Sequence, residues 1–193
     1  CASAACCKEL GMKRQVFFSF HYGADSWRVS QVRNMGAVEG DSPFFDNGWE
    51  QVRKYTDESI KRWIDQQMNM RSCVVVLVGA HTAERKWVRY EIEEGWRRGK
   101  GICAIDVHKL KDYEGNQSAQ GQDPTRLFYV DRRINWISRR DSPLDENEIR
   151  LSSICPMHKP VYSTSQFVYD EIKTNISSWI EEAMVLRQHY PMP

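Results

Sequence analysis

The sequence has no hydrophobic run long enough to cross a bilayer. Its longest apolar stretches are about 7 residues, against the ~20 that a spanning helix needs, and no apolar h-region of a secretory signal is present. An excess of one charge is missing too: the net charge is +1 over 193 residues, so no broad field draws the chain to nucleic acid or an anionic membrane. The six cysteines do not cluster usefully. Cys1, Cys6 and Cys7 crowd the start, and Cys73, Cys103 and Cys155 are scattered. None forms a C-x-x-C or His/Cys pattern with zinc spacing, so no metal site is expected. Reduced, buried thiols in a cytoplasmic protein are the simple reading. Three further signatures are absent: the G-x-G-x-x-G fingerprint, the G-x-x-x-x-G-K-[ST] phosphate loop and the G-x-S-x-G nucleophile elbow.

What is there suits one globular domain, with 41% hydrophobic and 27% charged residues. The opening "CASAACCKELG" is unlike the remainder of the chain, and Met12 is expected to be the natural start. Residues 1–11, read as appended or disordered, are left out of the fold reasoning. "QVFFSF" (15–20), "CVVVLVG" (73–79) and "GICAIDVH" (101–108) are apolar on both faces, as in buried parallel strands. Between them, 25–34 reads as a short helix with Asp25 as N-cap, 56–68 as a helix capped by Thr56 or Asp57, and 85–98 as a third. Alternating strand and helix predict an α/β fold, a central parallel sheet with helices on both faces. Residues 36–49 and 111–124 are polar loops, and the former is a candidate gate. The segment 126–130 predicts a strand, 138–165 is irregular, and 166–187 predicts a closing helix. Residues 12–125 are expected to form the domain proper, with 126–193 an extension packed on it.

The helix "RKWVRYEIEEGW" (85–96) raises a question. At 100° per residue, Val88, Ile92, Gly95 and Trp96 share one side. Arg89, Glu93 and Arg97 form an ion-pair ladder on another, worth a few tenths of a kcal/mol per pair. Glu91 belongs to neither; it flanks the apolar stripe, one turn after Trp87. A boundary glutamate paired with Arg98 or Arg85 is the plain explanation. The sharper one is a carboxylate held at a cleft outside the carboxyl ends of the strands, where clefts form in open parallel sheets.

The stretch "FHYGADSWRVSQVRN" offers ring faces and donors near the same edge. Phe20, His21, Tyr22 and Trp27 can hold a flat base, and Arg28, Arg33 and Asn34 a phosphate. Ser19 precedes His21 by two residues, too close along a strand to act as a nucleophile pair. His81, His108 and Asp106 follow or end strands and are weaker candidates.

These blocks resemble a known family. "VFFSFHYGAD" is similar to the first strand and loop of TIR domains, where an aromatic–x–Ser–aromatic run (Phe18, Ser19, Phe20) precedes an Asp (Asp25). "VVLVGAHTAERKWVRYEI" resembles the segment in which a strand leads to a Trp and, four residues later, a Glu, here Trp87 and Glu91. With "VRN" in the first helix and "VHKLKDYEGNQSAQGQDP" after the third strand, the chain over 12–125 most resembles the TIR-like proteins of Thoeris antiphage systems. Two features depart from TIR domains at large: Gly79 stands where many have Ser, and 36–49 lacks the Arg-Asp…Pro-Gly pattern of signalling adaptors.

The resemblance implies a flavodoxin-like TIR fold. It implies NAD⁺ as substrate rather than as a prosthetic cofactor, with Glu91 as the catalytic residue. Ser19, Phe20, His21, Tyr22, Arg28, Arg33, Asn34, Trp49 and Trp87 are the expected binding residues; Phe20, Tyr22, Trp49 and Trp87 would wall the cleft against water. The implied product is a cyclic or conjugated ADP-ribose signal that activates a partner effector. No metal, nucleic acid or membrane is implied, and self-association is left open. A non-enzymatic TIR-like module that binds nucleotide or partners is the alternative, and a nucleoside N-glycosidase a weaker one.

Overall fold

The structure is a computed structural model that describes residues 14–36, 56–143 and 145–191. Trp49, Cys1, Cys6, Cys7 and nearly all of the 36–49 loop lie outside the described residues. Three strands, β1 (Val16–Phe20), β2 (Cys73–Val78) and β3 (Gly101–Asp106), form a parallel sheet in the order β1-β2-β3. Phe20 pairs beside Leu77, and Val78 beside Asp106, so all three strands end at one edge. β2 and β3 are buried along their whole length. That is why their sequences are continuous apolar runs and not alternating ones.

Among the described residues of the amino-terminal part, three helices accompany the strands: α1 (Tyr22–Arg33), α2 (Asp57–Met68) and α3 (Lys86–Arg97). The carboxy-terminal part adds β4 (Phe128–Asp131), β5 (Ile137–Arg139), β6 (Glu148–Arg150), the single turn α4 (Leu151–Ile154) and the long α5 (Ser165–Gln188). The period of two in the strands sorts the core. Phe18, Val75, Leu77 and Ile105 meet α1 and α5 on one face. Phe17, Val74, Val76 and Ala104 meet α2, α3 and the antiparallel β5-β4-β6 sheet on the other. The α/β reading, with helices on both faces, holds.

Val88, Ile92 and Trp96 seat α3 on the sheet, each buried to 1% or less and each contributing about 1.5–3 kcal/mol. Gly95 lets the helix come this close, because a Cβ there would lie 2.6 Å from Val74 Cγ2. The far end of α3 is tied to α5: Arg187 donates to the Trp96 carbonyl from Nε (3.3 Å) and Nη2 (2.9 Å), an acceptor it shares with the Gly99 amide (2.9 Å).

Several expectations change. α1 begins at Tyr22, with His21 and not Asp25 at its N-cap. Asp25 lies inside the first turn, 1% exposed, and accepts from Arg28 Nη1 at 3.2 Å. Thr56, not Asp57, caps α2 by accepting from the Ser59 amide. Residues 124–127 form a 3₁₀ turn ahead of β4, capped by Asp123. The segment 138–165 is not wholly irregular, since it holds most of β5, then β6 and α4; elements of three or four residues are too short to show a period. The chain then runs beside β3, where His158 donates to Ala104 O (2.8 Å) and accepts from the Asp106 amide (2.9 Å).

Gly79, just past β2, abuts the Asp25 carboxylate, and a Cβ there would overlap it. A serine at this position would need the Asp25 carboxylate to shift. Gly79→Ala is expected to lose about 1–3 kcal/mol through overpacking, read as a lower urea midpoint; an unchanged midpoint would show that Asp25 yields freely.

Candidate active site

A cleft of about 440 Å³ opens at the β1 end of the strand edge. Its walls come from β1 (Phe18, Phe20), the first turn of α1 with its cap (His21, Tyr22, Gly23), α2 (Trp63) and the start of α3 (Arg85, Lys86, Trp87, Val88, Glu91). The lining is therefore mainly aromatic. Trp87 meets Tyr90 edge-on with ring centroids 6.0 Å apart, and the Lys86 ammonium lies 4.8 Å from the Trp87 ring centroid. Lys86 is also ion-paired with Asp57, so the rim cation is held in place by α2.

Among the described residues Glu91 is the one carboxylate in this lining, and it is 7% exposed. Its position on the shoulder of α3 turns it toward β1, where Ser19, 1% exposed, donates to Oε2 at 2.5 Å. Neither arginine suggested as its partner reaches it. Arg98 bonds Glu94 at 2.7 Å and Asp65 at 3.1 Å, and Arg85 donates to the His81 carbonyl. Without a cation, burial pushes the Glu91 carboxyl up to about 8, against which the Ser19 hydrogen bond works. A buried charge neutralises itself by such a shift when nothing offsets it. The ladder on the neighbouring face is partly present: Arg97 pairs with Glu93 at 2.5 Å, while Arg89 donates to the Ala83 carbonyl at 2.7 Å.

His21 also faces the cleft. Its Nδ1 is buried and has no hydrogen-bond partner among the described residues. Burial first, then the nearby positive charge of Arg85, lowers its pKa, so the ring stands neutral with an open polar atom.

Of the other sequence candidates, Phe20, Tyr22 and Trp87 line the cleft and Ser19 touches it through Glu91. Three do not line it. Arg28 is 3% exposed and fully engaged, donating to the Leu110, Ala24 and Asn116 carbonyls and to Asp25 and Asp112. It clamps α1 to the 110–116 loop. Arg33 lies 5.4 Å from the Phe20 ring centroid and 5.6 Å from that of Phe18, as a buttress to those rings. Asn34 is exposed at the C-cap of α1, about 18 Å of helix away from His21. Trp27 is 54% exposed, and neither His81 nor His108 is among the lining residues. Trp63, Arg85, Lys86 and Phe18 were missed. Trp63 had a signal: beside the Ile60–Ile64 stripe of α2, it stands where Glu91 stands beside the stripe of α3. Among the described residues no group of three or more His, Cys, Asp or Glu side chains is placed to hold a metal ion, and no helix is long and apolar enough to cross a membrane.

The chain is similar to known sequences. The family model for the TIR-like domain of the Thoeris protein ThsB matches residues 17–112, which include every lining residue of the cleft. A Bacillus cereus (strain MSX-D12) protein named "Putative cyclic ADP-D-ribose synthase ThsB1" is 37% identical over 191 residues, covering 88% of this chain and all of that protein.

The raised Glu91 pKa has a consequence for stability. The folded state keeps its proton up to about 8, whereas the unfolded chain loses it near 4.5. Glu91 therefore lowers stability progressively as pH rises from about 4.5 to 8, by about 1.4 kcal/mol per pH unit. The Glu91→Gln protein is expected to match the parent near pH 4.5 and to exceed its melting temperature increasingly toward pH 8. A difference that stays constant with pH would contradict a buried, unpaired acid.

Proposed function

The chain belongs to the Thoeris ThsB TIR-like family, and on that premise we propose that it cleaves NAD⁺ at the nicotinamide–ribose bond and forms a cyclic or conjugated ADP-ribose signal for a partner effector. The observation that carries this reading is Glu91: a buried carboxyl without a cation, hydrogen-bonded by Ser19, in an aromatic-walled cleft.

The chemistry needs little more. The bond from the ribose anomeric carbon to the pyridine nitrogen breaks, and its electron pair goes to that nitrogen. Nicotinamide is cationic while attached and leaves neutral, so the general acid of an ordinary glycosidase is not required. The sugar becomes an oxocarbenium-like cation, and one carboxylate opposes the growing charge. In a poorly hydrated cleft this is worth several kcal/mol of barrier. Glu91 is protonated in much of the ligand-free protein near neutral pH, given its value of about 8. A pyridinium arriving beside it favours the ionised form, and the Ser19 hydroxyl stays as donor to that form. Phe20, Tyr22, Trp63 and Trp87 limit water at the cation. A hydroxyl or ring nitrogen of the same substrate, or a second small molecule, then attacks the anomeric carbon and sheds a proton if it was an alcohol. Phe20, Tyr22 and Trp87 serve as base-stacking surfaces, and His21, uncharged and with an open Nδ1, serves as a polar contact.

The site lies within residues 12–125, and residues 126–193 act as an extension of the same body. The packing of Val168, Ile172, Ile176 and Ile180 of α5 in the core shared with β3 supports that division.

Glu91→Gln is expected to fold and to lower NAD⁺ consumption at least about a hundredfold. Mass spectrometry after incubation with NAD⁺ and free nucleosides checks this. Parental turnover by the variant would overturn the assignment, and no turnover by the parent would favour a nucleotide-binding module. In the parent, kcat/KM is expected to rise with pH toward a plateau above about 8, as free Glu91 ionises. Ser19→Ala, lacking the donor that holds this pKa down, should move the midpoint upward; a profile that stays in place would remove Ser19 from the site.

A further inference from the structure

A second hollow lies apart from the Glu91 cleft and shares none of its lining residues. It measures about 630 Å³ and is bounded by the 120–123 loop, the 3₁₀ turn before β4, the end of β6 and residues 156–159. Its walls hold three cations, Arg126, Arg150 and Lys159, and one acid, Asp123. Asp123 Oδ1 accepts from the Thr125 amide at 2.9 Å and from the Thr125 hydroxyl at 2.6 Å, which fixes its orientation as the cap of the 3₁₀ turn, and its single negative charge leaves the wall with an excess of two positive charges. None of the three cations pairs with a carboxylate among the described residues. Arg150 is set in advance: its Nη1 donates to the Arg126 carbonyl at 2.8 Å, and its guanidinium lies 4.8 Å from the Tyr129 ring centroid. Ser152 and Gln122 add uncharged hydrogen-bonding groups to the wall.

Three cations against a single carboxylate leave the hollow with an excess positive charge that a bound anion would offset. Guanidinium forks with a mobile ammonium beside them match phosphate oxygens. We propose that this hollow is a second binding site, for a compact molecule carrying two or more phosphates. A nucleic-acid strand fits poorly, because the charge is confined to a concavity and the chain as a whole carries only +1.

The hollow also touches the machinery of the first cleft. Gln120, on its loop, donates to Asp106 Oδ2 at 2.9 Å at the end of β3. Gly121 lies so close to Gly79 that a Cβ would overlap the Gly79 carbonyl, and Gly79 in turn abuts Asp25 in the first turn of α1. Tyr22 and Gly23 of that turn line the Glu91 cleft. An anion drawn in by Arg126 and Lys159 thus acts on a loop that reaches the cleft through direct contacts. That the ligand is a diphosphate-bearing nucleotide rests on the proposed NAD⁺ reaction, whose substrate and product both carry a diphosphate; the site itself does not rest on it.

The test is calorimetric titration of inorganic pyrophosphate into the parent protein and into the Arg126→Gln/Lys159→Gln double variant. Both side chains are exposed, so the variant should fold. Saturable binding is expected, weakened about tenfold or more in the variant and by added salt. No saturable binding at millimolar pyrophosphate, or equal affinity in the two proteins, would overturn the proposal. Turnover of NAD⁺ in pyrophosphate-free buffer reports separately on Glu91, so either conclusion can fail without the other.

Discussion

A single hydrogen bond joins the two halves of the candidate site. Ser19 near the end of β1 donates to Glu91 in the second turn of α3, across 72 positions of sequence. Both groups are buried, so the bond is made largely out of reach of bulk water. Among the described residues no cation pairs with the carboxyl, and burial leaves it a weak acid. Such a group is costly for a fold to hold ionised, and it is suited to a reaction that brings its own positive charge.

The rest of the molecule keeps that pair in register. Trp96, Ile92 and Val88 seat α3, Gly95 sets its distance from β2, and Arg187 of α5 fastens its far end. On the other side, Arg28 gathers α1, Asp25 and the 110–116 loop into one buried network. The long block after β3, conspicuous in the sequence, thereby acquires a structural purpose. It holds α1, whose first turn walls the cleft. The Gly79–Gly121 approach closes the same network over the strand edge and brings the cationic hollow into contact with it.

Asp106 shows how a suggestive position can be absorbed by structure. At the end of β3 it accepts from the His108 amide (3.1 Å) and ring Nδ1 (2.5 Å) and from Gln120 (2.9 Å). Its carboxylate is engaged in fixing the loop, whereas the proposed role of Glu91 needs a carboxyl that faces the cleft. Arg28 shows the same outcome for a cation: its spacing suggested a phosphate ligand, yet carbonyl oxygens use its donors.

The sequence by itself determined the parallel sheet, because strands buried on both faces must be apolar throughout. It also determined the helices on either side, whose stripes have the period of 3.6, and it singled out Glu91 as an acid beside such a stripe. It could not decide what that acid met: it offered Arg98 or Arg85 as partners, and the partner in the structure is Ser19. Nor could it separate Arg28, sealed in the interior, from Lys86 at the rim, or show Trp63 entering the cleft from α2. Those outcomes depend on which faces meet after the helices dock, a matter of distances between residues far apart in sequence. Only the tertiary structure sets those distances, and burial then decides which polar group is spent on the fold and which is left free to act.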